Sequence, residues 1–340
     1  MCMQLNLKLQ YKHIIFSIVL AIFIGAMNIV SQARILTSNC IACHGQYPGM
    51  MEELALVRGK YKYLFDNTVC VGCHSSSDNY PIKILGGVKV PIVFNRVKPE
   101  RMLAGGNFYF LQESDRKGHN VHNIAEMDRT FKNIPPGYDN TTDNSTIGFN
   151  FQKPLTCSGA NGCHGDRNIE NPFEAIRGSH HAKDSPLDGT TVAKSYRFLK
   201  GIKGYEDPDW NLNASPKEHN EYSADIDKIC INCHGKFHRK ENLRERSRWL
   251  RHPTGVPLPK RGEYMNYTKY DPSVPVGRTK IAFTSREEVV PGEDTVICLS
   301  CHYAHAGPYD SSLRWDYDNI FAHEGQEKKG CLVCHTRKQH

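Results

Sequence analysis

Five segments of this 340-residue chain read Cys-x-x-Cys-His: Cys40 to His44, Cys70 to His74, Cys230 to His234, Cys298 to His302 and Cys331 to His335. A sixth, Cys157-Ser-Gly-Ala-Asn-Gly-Cys163-His164, is the same motif with three more residues between its thiols. This pattern is the attachment signature of c-type haem. Two thiols add to the two vinyl groups of one porphyrin, and the imidazole that follows becomes the proximal iron ligand. A chain tied at so many points to large flat groups has to fold around them. Of its 13 cysteines, 12 lie in these motifs and only Cys2 is left over. Zinc ribbons, disulfide frameworks and thioredoxin-like pairs also use CxxC, but none requires a His directly after the second Cys.

The motifs therefore imply six haem c groups. Their thioether residues are Cys40, Cys43, Cys70, Cys73, Cys157, Cys163, Cys230, Cys233, Cys298, Cys301, Cys331 and Cys334. Their proximal ligands are His44, His74, His164, His234, His302 and His335. At the stretched copy, Ser158 to Gly162 are small or turn-forming and suited to bulging out. Two rival readings stand there: a haem held by Cys163 alone, or a Cys157–Cys163 disulfide with no haem.

Residues 1–33 read as a signal peptide. Lys8 and Lys12 precede an apolar run from Ile14, and Ser31-Gln32-Ala33 supplies small residues at the −3 and −1 positions of a cleavage site. The rival is an uncleaved anchor, for which the run from Ile14 to Val30 is short. The expected organisation is residues 1–33 as signal peptide and 34–340 as a single hexahaem domain. The expected location is outside the cytoplasm, extracellular, on the cell surface or periplasmic, with no membrane span in the mature chain.

The formal net charge of +7 falls to +5 once Lys8 and Lys12 are removed. Six haems carry twelve propionates and shift the charge by about −6 when oxidised and about −12 when reduced. The basic side chains are then propionate partners, and no nucleic-acid-binding motif accompanies them.

Hydrophobic residues make up 39% of the chain, lean for a protein of this length. Porphyrin faces and thioether staples supply what the side chains lack. The expected fold class is a multihaem cytochrome c: a haem-packed, mostly irregular chain with short α-helices and a few short strands. Helices are expected over 51–65, from Asn171-Pro172 toward His180, and over 224–234. Strands or a hairpin are expected over 81–110. Residues 133–150 and 255–275 read as exposed loops.

A second imidazole on an iron makes it an electron carrier, while an open position makes it a site of chemistry. Beyond the six proximal histidines and His13, ten remain: His119, His122, His180, His181, His219, His238, His252, His305, His323 and His340. His119, His180, His181, His252, His305 and His323 are the favoured distal ligands, with His219 and His238 in reserve. His305 is too close to His302 in sequence to bind the same iron, but is well placed for a neighbouring one. Bis-His coordination and low potential follow, with no catalytic residue. The rival is a multihaem reductase of the nitrite, hydroxylamine or sulfur-oxyanion type with one open haem. All six motifs here end in His.

The segments Cys298-Leu-Ser-Cys-His-Tyr-Ala-His305 and Cys230-Ile-Asn-Cys-His-Gly-Lys-Phe-His238 resemble the doubled CxxCH family of multihaem cytochromes c. Gly106 to Val121, Gly178 to His181, Ser195 to Asp207, Trp249 to Thr254 and Leu313 to Asp318 resemble stretches of such cytochromes from metal-reducing and syntrophic bacteria. The resemblance spans most of residues 34–340. It implies electron transfer to other redox proteins or extracellular acceptors, and includes cytochromes that polymerise as homopolymer filaments.

Overall fold

Among the described residues regular structure is short, and three of the four helices end in or span an attachment motif. The structure, a computed structural model, describes residues 68–85, 88–127, 134–138, 150–181, 186–210, 212–237, 252–321 and 329–336. The signal segment, the first motif (Cys40, Cys43, His44), the helix expected over 51–65, His238, His323 and His340 lie outside the described residues.

Helix α1 (Thr68–His74) carries the second motif, α2 is Pro172–Ala175, α3 (Asp227–His234) carries the fourth, and α4 (Cys331–Cys334) carries the last. In α1 and α3 the two cysteines and the histidine stand at i, i+3 and i+4, on one helical face. The fifth motif winds as a 3₁₀ turn over Cys298–Ser300.

Strand β1 (Ser75–Ser76) pairs in parallel with β4 (Phe94–Asn95), and β2 (Ile82–Leu85) runs antiparallel to β3 (Val88–Pro91), with Ile82 opposite Pro91. The remaining strands are β5 (Gly204–Tyr205), β6 (Glu221–Ser223), β7 (Val256–Pro257), β8 (Gly277–Arg278) and β9 (Thr295–Val296). They form one sheet in the order β5-β6-β8-β9-β7. The fold class is thus the one expected: few short helices, short strands and a mostly irregular chain. Among the described residues no helix is long and apolar enough to cross a membrane.

An irregular chain still has to satisfy its backbone polar groups. Side-chain amides do much of that here. Asn95 is fully buried and donates to the carbonyls of Asp78 (2.7 Å) and Tyr80 (2.9 Å). Asn107 donates to Asn95 Oδ1 (2.7 Å) and accepts from the amide of Tyr109 (2.9 Å), capping the 3₁₀ turn Phe108–Gln112. These bonds hold the β1–β4 region without long strands.

Among the described residues the apolar interior is divided into three small clusters, each touching an attachment motif. Phe108, Phe110, Leu111, Val121 and Ala306 pack with Cys157. Leu187, Tyr196, Ile202, Tyr222, Ile226, Ile297 and Leu299 pack with Ile229, between the fourth and fifth motifs. Leu258, Tyr267, Tyr270, Val274, Val276, Val289, Val296 and Val333 pack with Cys334 and Trp315.

Two local expectations are corrected. Helix α2 starts as expected, with Asn171 Oδ1 accepting from the amides of Phe173 and Glu174. It stops at Ala175, and the positive φ of Gly178 (76°) turns the chain before His180. His180 and His181 therefore sit in a separate 3₁₀ turn, Ser179–His181. The stretch from Gly255 to Pro275 is not a plain exposed loop. Tyr267 and Tyr270 are buried to 3% exposure, because their rings fill the cluster beside Cys334.

Candidate haem-binding sites

Each described motif histidine has its Nδ1 against an acceptor. For His74 it is the Pro91 carbonyl (2.9 Å), for His164 the Arg197 carbonyl (2.7 Å), for His234 the Pro136 carbonyl (2.6 Å) and for His302 the Ser311 carbonyl (2.7 Å). For His335 it is the Glu263 carboxylate (2.9 Å). A neutral imidazole that donates from Nδ1 keeps its lone pair on Nε2, the nitrogen that would bind iron. Withdrawal from solvent lowers the pKa of His74, His164 and His302, which favours this neutral form. His305 is pushed down to about 3, by burial first and then by the neighbouring His164.

Four of the favoured distal histidines, His180, His305, His119 and His252, face motif histidines. Ring centroids are 6.2 Å apart for His74 and His180, 6.2 Å for His164 and His305, 6.1 Å for His234 and His119, and 6.2 Å for His335 and His252. The rings are inclined by 51–83° and do not stack. By contrast His219 lies flat on Tyr270 at 3.5 Å and 7°. The repeated spacing fits a shared iron. Two metal–nitrogen bonds of about 2.0 Å, plus about 1.1 Å from each nitrogen to its ring centre, sum to about 6.2 Å. The Nδ1 atoms of His119 and His252 face the carbonyls of Ala304 (2.8 Å) and Pro253 (3.0 Å), so their Nε2 atoms are the available ligands.

The structure separates the remaining candidates. His219 is fully buried, with Nδ1 3.0 Å from the Ser215 carbonyl and Nε2 3.2 Å from Glu221 Oε1. Both nitrogens are committed, so this reserve candidate is a structural residue. The amide of His122 donates to the Leu155 carbonyl. His181 is described in its backbone only, within the turn that carries His180.

The stretched motif keeps the closure of the ordinary ones. In the fifth and sixth motifs the His amide donates to the first Cys carbonyl, at 3.0 Å from His302 to Cys298 and 2.9 Å from His335 to Cys331. His164 donates to the Cys157 carbonyl at 2.9 Å, across the longer interval. The inserted residues do not bulge into solvent. Ser158, Ala160 and Asn161 are buried, and Asn161 Nδ2 donates to the carbonyls of Asn150, Lys153 and Pro154. Gly159 has φ +82°, and a Cβ on Gly162 would come within 2.5 Å of the Ser158 backbone nitrogen. No disulfide joins Cys157 to Cys163.

Thiols of successive motifs are neighbours. Cys157 is within hydrogen-bonding reach of Cys70, and Cys298 of Cys230, contacts that raise the pKa of Cys157 and Cys298. Cys163 interacts with Cys230, Cys301 with Cys331, and Cys334 with Cys301. Burial pushes Cys233 and Cys301 up to about 11 and Cys334 up to about 12. Among the described residues no three His, Cys, Asp or Glu side chains gather as a metal-ion site.

Residues 289–340 match the doubled CXXCH motif family. No curated protein matches the chain. Two solved structures from Geobacter sulfurreducens are similar to it. The Outer Membrane Cytochrome S filament shares 18% identity over 75% of this chain and 76% of that one, with a TM-score of 0.43. The OmcS nanowires seen by cryo-electron microscopy share 20% identity over 80% of this chain and 84% of that one, with a TM-score of 0.45.

Sequence reasoning missed the groups that orient the ligands. The carbonyls of Pro91, Pro136, Arg197 and Ser311 lie far from their motifs or after them and have no side-chain signature. Glu263 lies in a stretch read as an exposed loop, and no motif marks it.

Proposed function

We propose that the chain carries six covalent haems in one exported domain, residues 34–340, each iron held by two histidines, and that it passes electrons from haem to haem at low potential. The observation that carries this reading is the repeated 6.1–6.2 Å separation of the imidazole pairs, each with at least one Nδ1 already bonded. When bound, haem supplies the one-electron iron couple. The chain's own part is to fix each imidazole, to exclude solvent from the ligands and to bring the groups close.

In this reading His180, His305, His119 and His252 are the distal partners of His74, His164, His234 and His335. His181 and His323 are left for the irons of His44 and His302. An iron with both axial positions filled by imidazole has no place for substrate, so the chain is an electron-transfer protein and not an enzyme. The neighbouring thiols from Cys70 through Cys157, Cys163, Cys230 and Cys298 to Cys301, Cys331 and Cys334 support haems ordered as their motifs are ordered in sequence. The signal-like residues 1–33 support export, with other redox proteins or extracellular acceptors as partners. Polymerisation is the wider form of the same reading, and electron microscopy of secreted material tests it.

Intact mass with haem quantification, followed by a potentiometric titration, tests the count and the potential. Six haems on a chain lacking residues 1–33, all with negative midpoints, are expected. Five haems would overturn the reading of Cys157, and positive midpoints would overturn the bis-His assignment.

A further inference from the structure

We propose that Glu263 sets the potential of the haem held by Cys331, Cys334 and His335, and makes it the most reducing of those on the described motifs. This rests on the haem reading above. The observation is a difference among otherwise similar ligands. The Nδ1 atoms of His74, His119, His164, His234, His252 and His302 face backbone carbonyls, whereas that of His335 faces a carboxylate.

A carboxylate accepts a shorter and stronger hydrogen bond than a neutral carbonyl, and it draws the imidazole proton toward itself. The ring becomes the more basic ligand. A more basic ligand and a nearby negative charge both favour ferric over ferrous iron, which lowers the potential of that one-electron couple. No bond forms or breaks in the couple; one electron leaves the ferrous iron for the next haem.

The carboxylate is held in place by its surroundings. Glu263 lies on the 3₁₀ turn Gly262–Asn266. Thr336, the residue after the motif, donates from Oγ1 to the Glu263 carbonyl (2.9 Å), and Asn266 Nδ2 donates to that same Oγ1 (2.8 Å). The Tyr264 ring meets His335 edge-on at 5.3 Å and 67°. The Glu263 side chain is 15% exposed, so solvent weakens its field only in part. On the opposite side His252 bonds its neighbour's carbonyl, an ordinary arrangement that adds no such bias. The last motif is the end of the thiol series, so a low potential there drives electrons away from that end.

The test is a potentiometric titration of the holoprotein and of Glu263→Gln, followed by visible absorption and EPR. The amide keeps an acceptor oxygen and removes the charge. Expected is an upward shift of a single haem, at least tenfold in its reduced-to-oxidised ratio at fixed potential, which is 59 mV for one electron. The other midpoints stay unmoved. Should the Gln variant misfold, Glu263→Asp shortens the carboxylate's reach and is expected to shift the same haem upward by less. Unchanged midpoints in a fully loaded, low-spin variant would overturn the role of Glu263 and leave the bis-His reading standing. A wild-type protein lacking a low-spin haem at Cys331, Cys334 and His335 would overturn both.

Discussion

A histidine whose Nδ1 is fixed to a carbonyl has one nitrogen left to offer. That single constraint, repeated at His74, His164, His234 and His302, fixes which nitrogen of each imidazole could bind a metal. Replacing a distal partner should then open one iron and no other. His180→Ala is expected to convert one haem per molecule to a high-spin ferric form with a raised midpoint, read by EPR and titration. An unchanged low-spin spectrum would show that His180 is not a ligand. The motif residues were legible in the sequence because their chemistry needs a fixed spacing. The partners were not, since His74 meets His180 and His234 meets His119 only through the folded chain. Composition limits the candidates but cannot pair them. His219 shows the difficulty: its sequence surroundings do not distinguish it, yet Ser215, Glu221 and Tyr270 occupy both its nitrogens and its face.

At the scale of elements, short pieces are braced by buried polar groups. Arg278 on β8 is 1% exposed, bonds Glu221 Oε2 on β6 at 2.8 Å, pairs with Asp294, and donates to the carbonyls of Glu288 (2.9 Å) and Arg286 (3.0 Å). Removing one partner of such a network leaves uncompensated buried charge. Arg278→Met is expected to lower unfolding stability by about 3–5 kcal/mol, measured by denaturant titration of the holoprotein. A loss within a few tenths would contradict this role. The stretched attachment loop is a second braced element. Its glycines are required by close approach, so Gly162→Val should cost the haem at Cys157 and Cys163. Intact mass is then expected to fall by one haem while the others remain. Retention of six haems in that variant would mean that the loop is not a folding requirement. The insertion was legible as unusual; its burial was not, because it depends on Asn161 reaching Asn150, Lys153 and Pro154.

For the molecule as a whole, the lean composition and the multiplied motif foretold the architecture. Among the described residues three small apolar clusters each border a motif, in place of one large core. The thiol neighbours link the described motifs in sequence order, a feature absent from any local pattern. The central claim is that every iron carries two histidines and conducts without binding substrate. The most direct measurement is the EPR spectrum of the fully oxidised holoprotein, with and without nitrite or hydroxylamine. Only low-spin ferric signals, indifferent to either ligand, are predicted; a high-spin signal that shifts on addition of one of them would contradict the account.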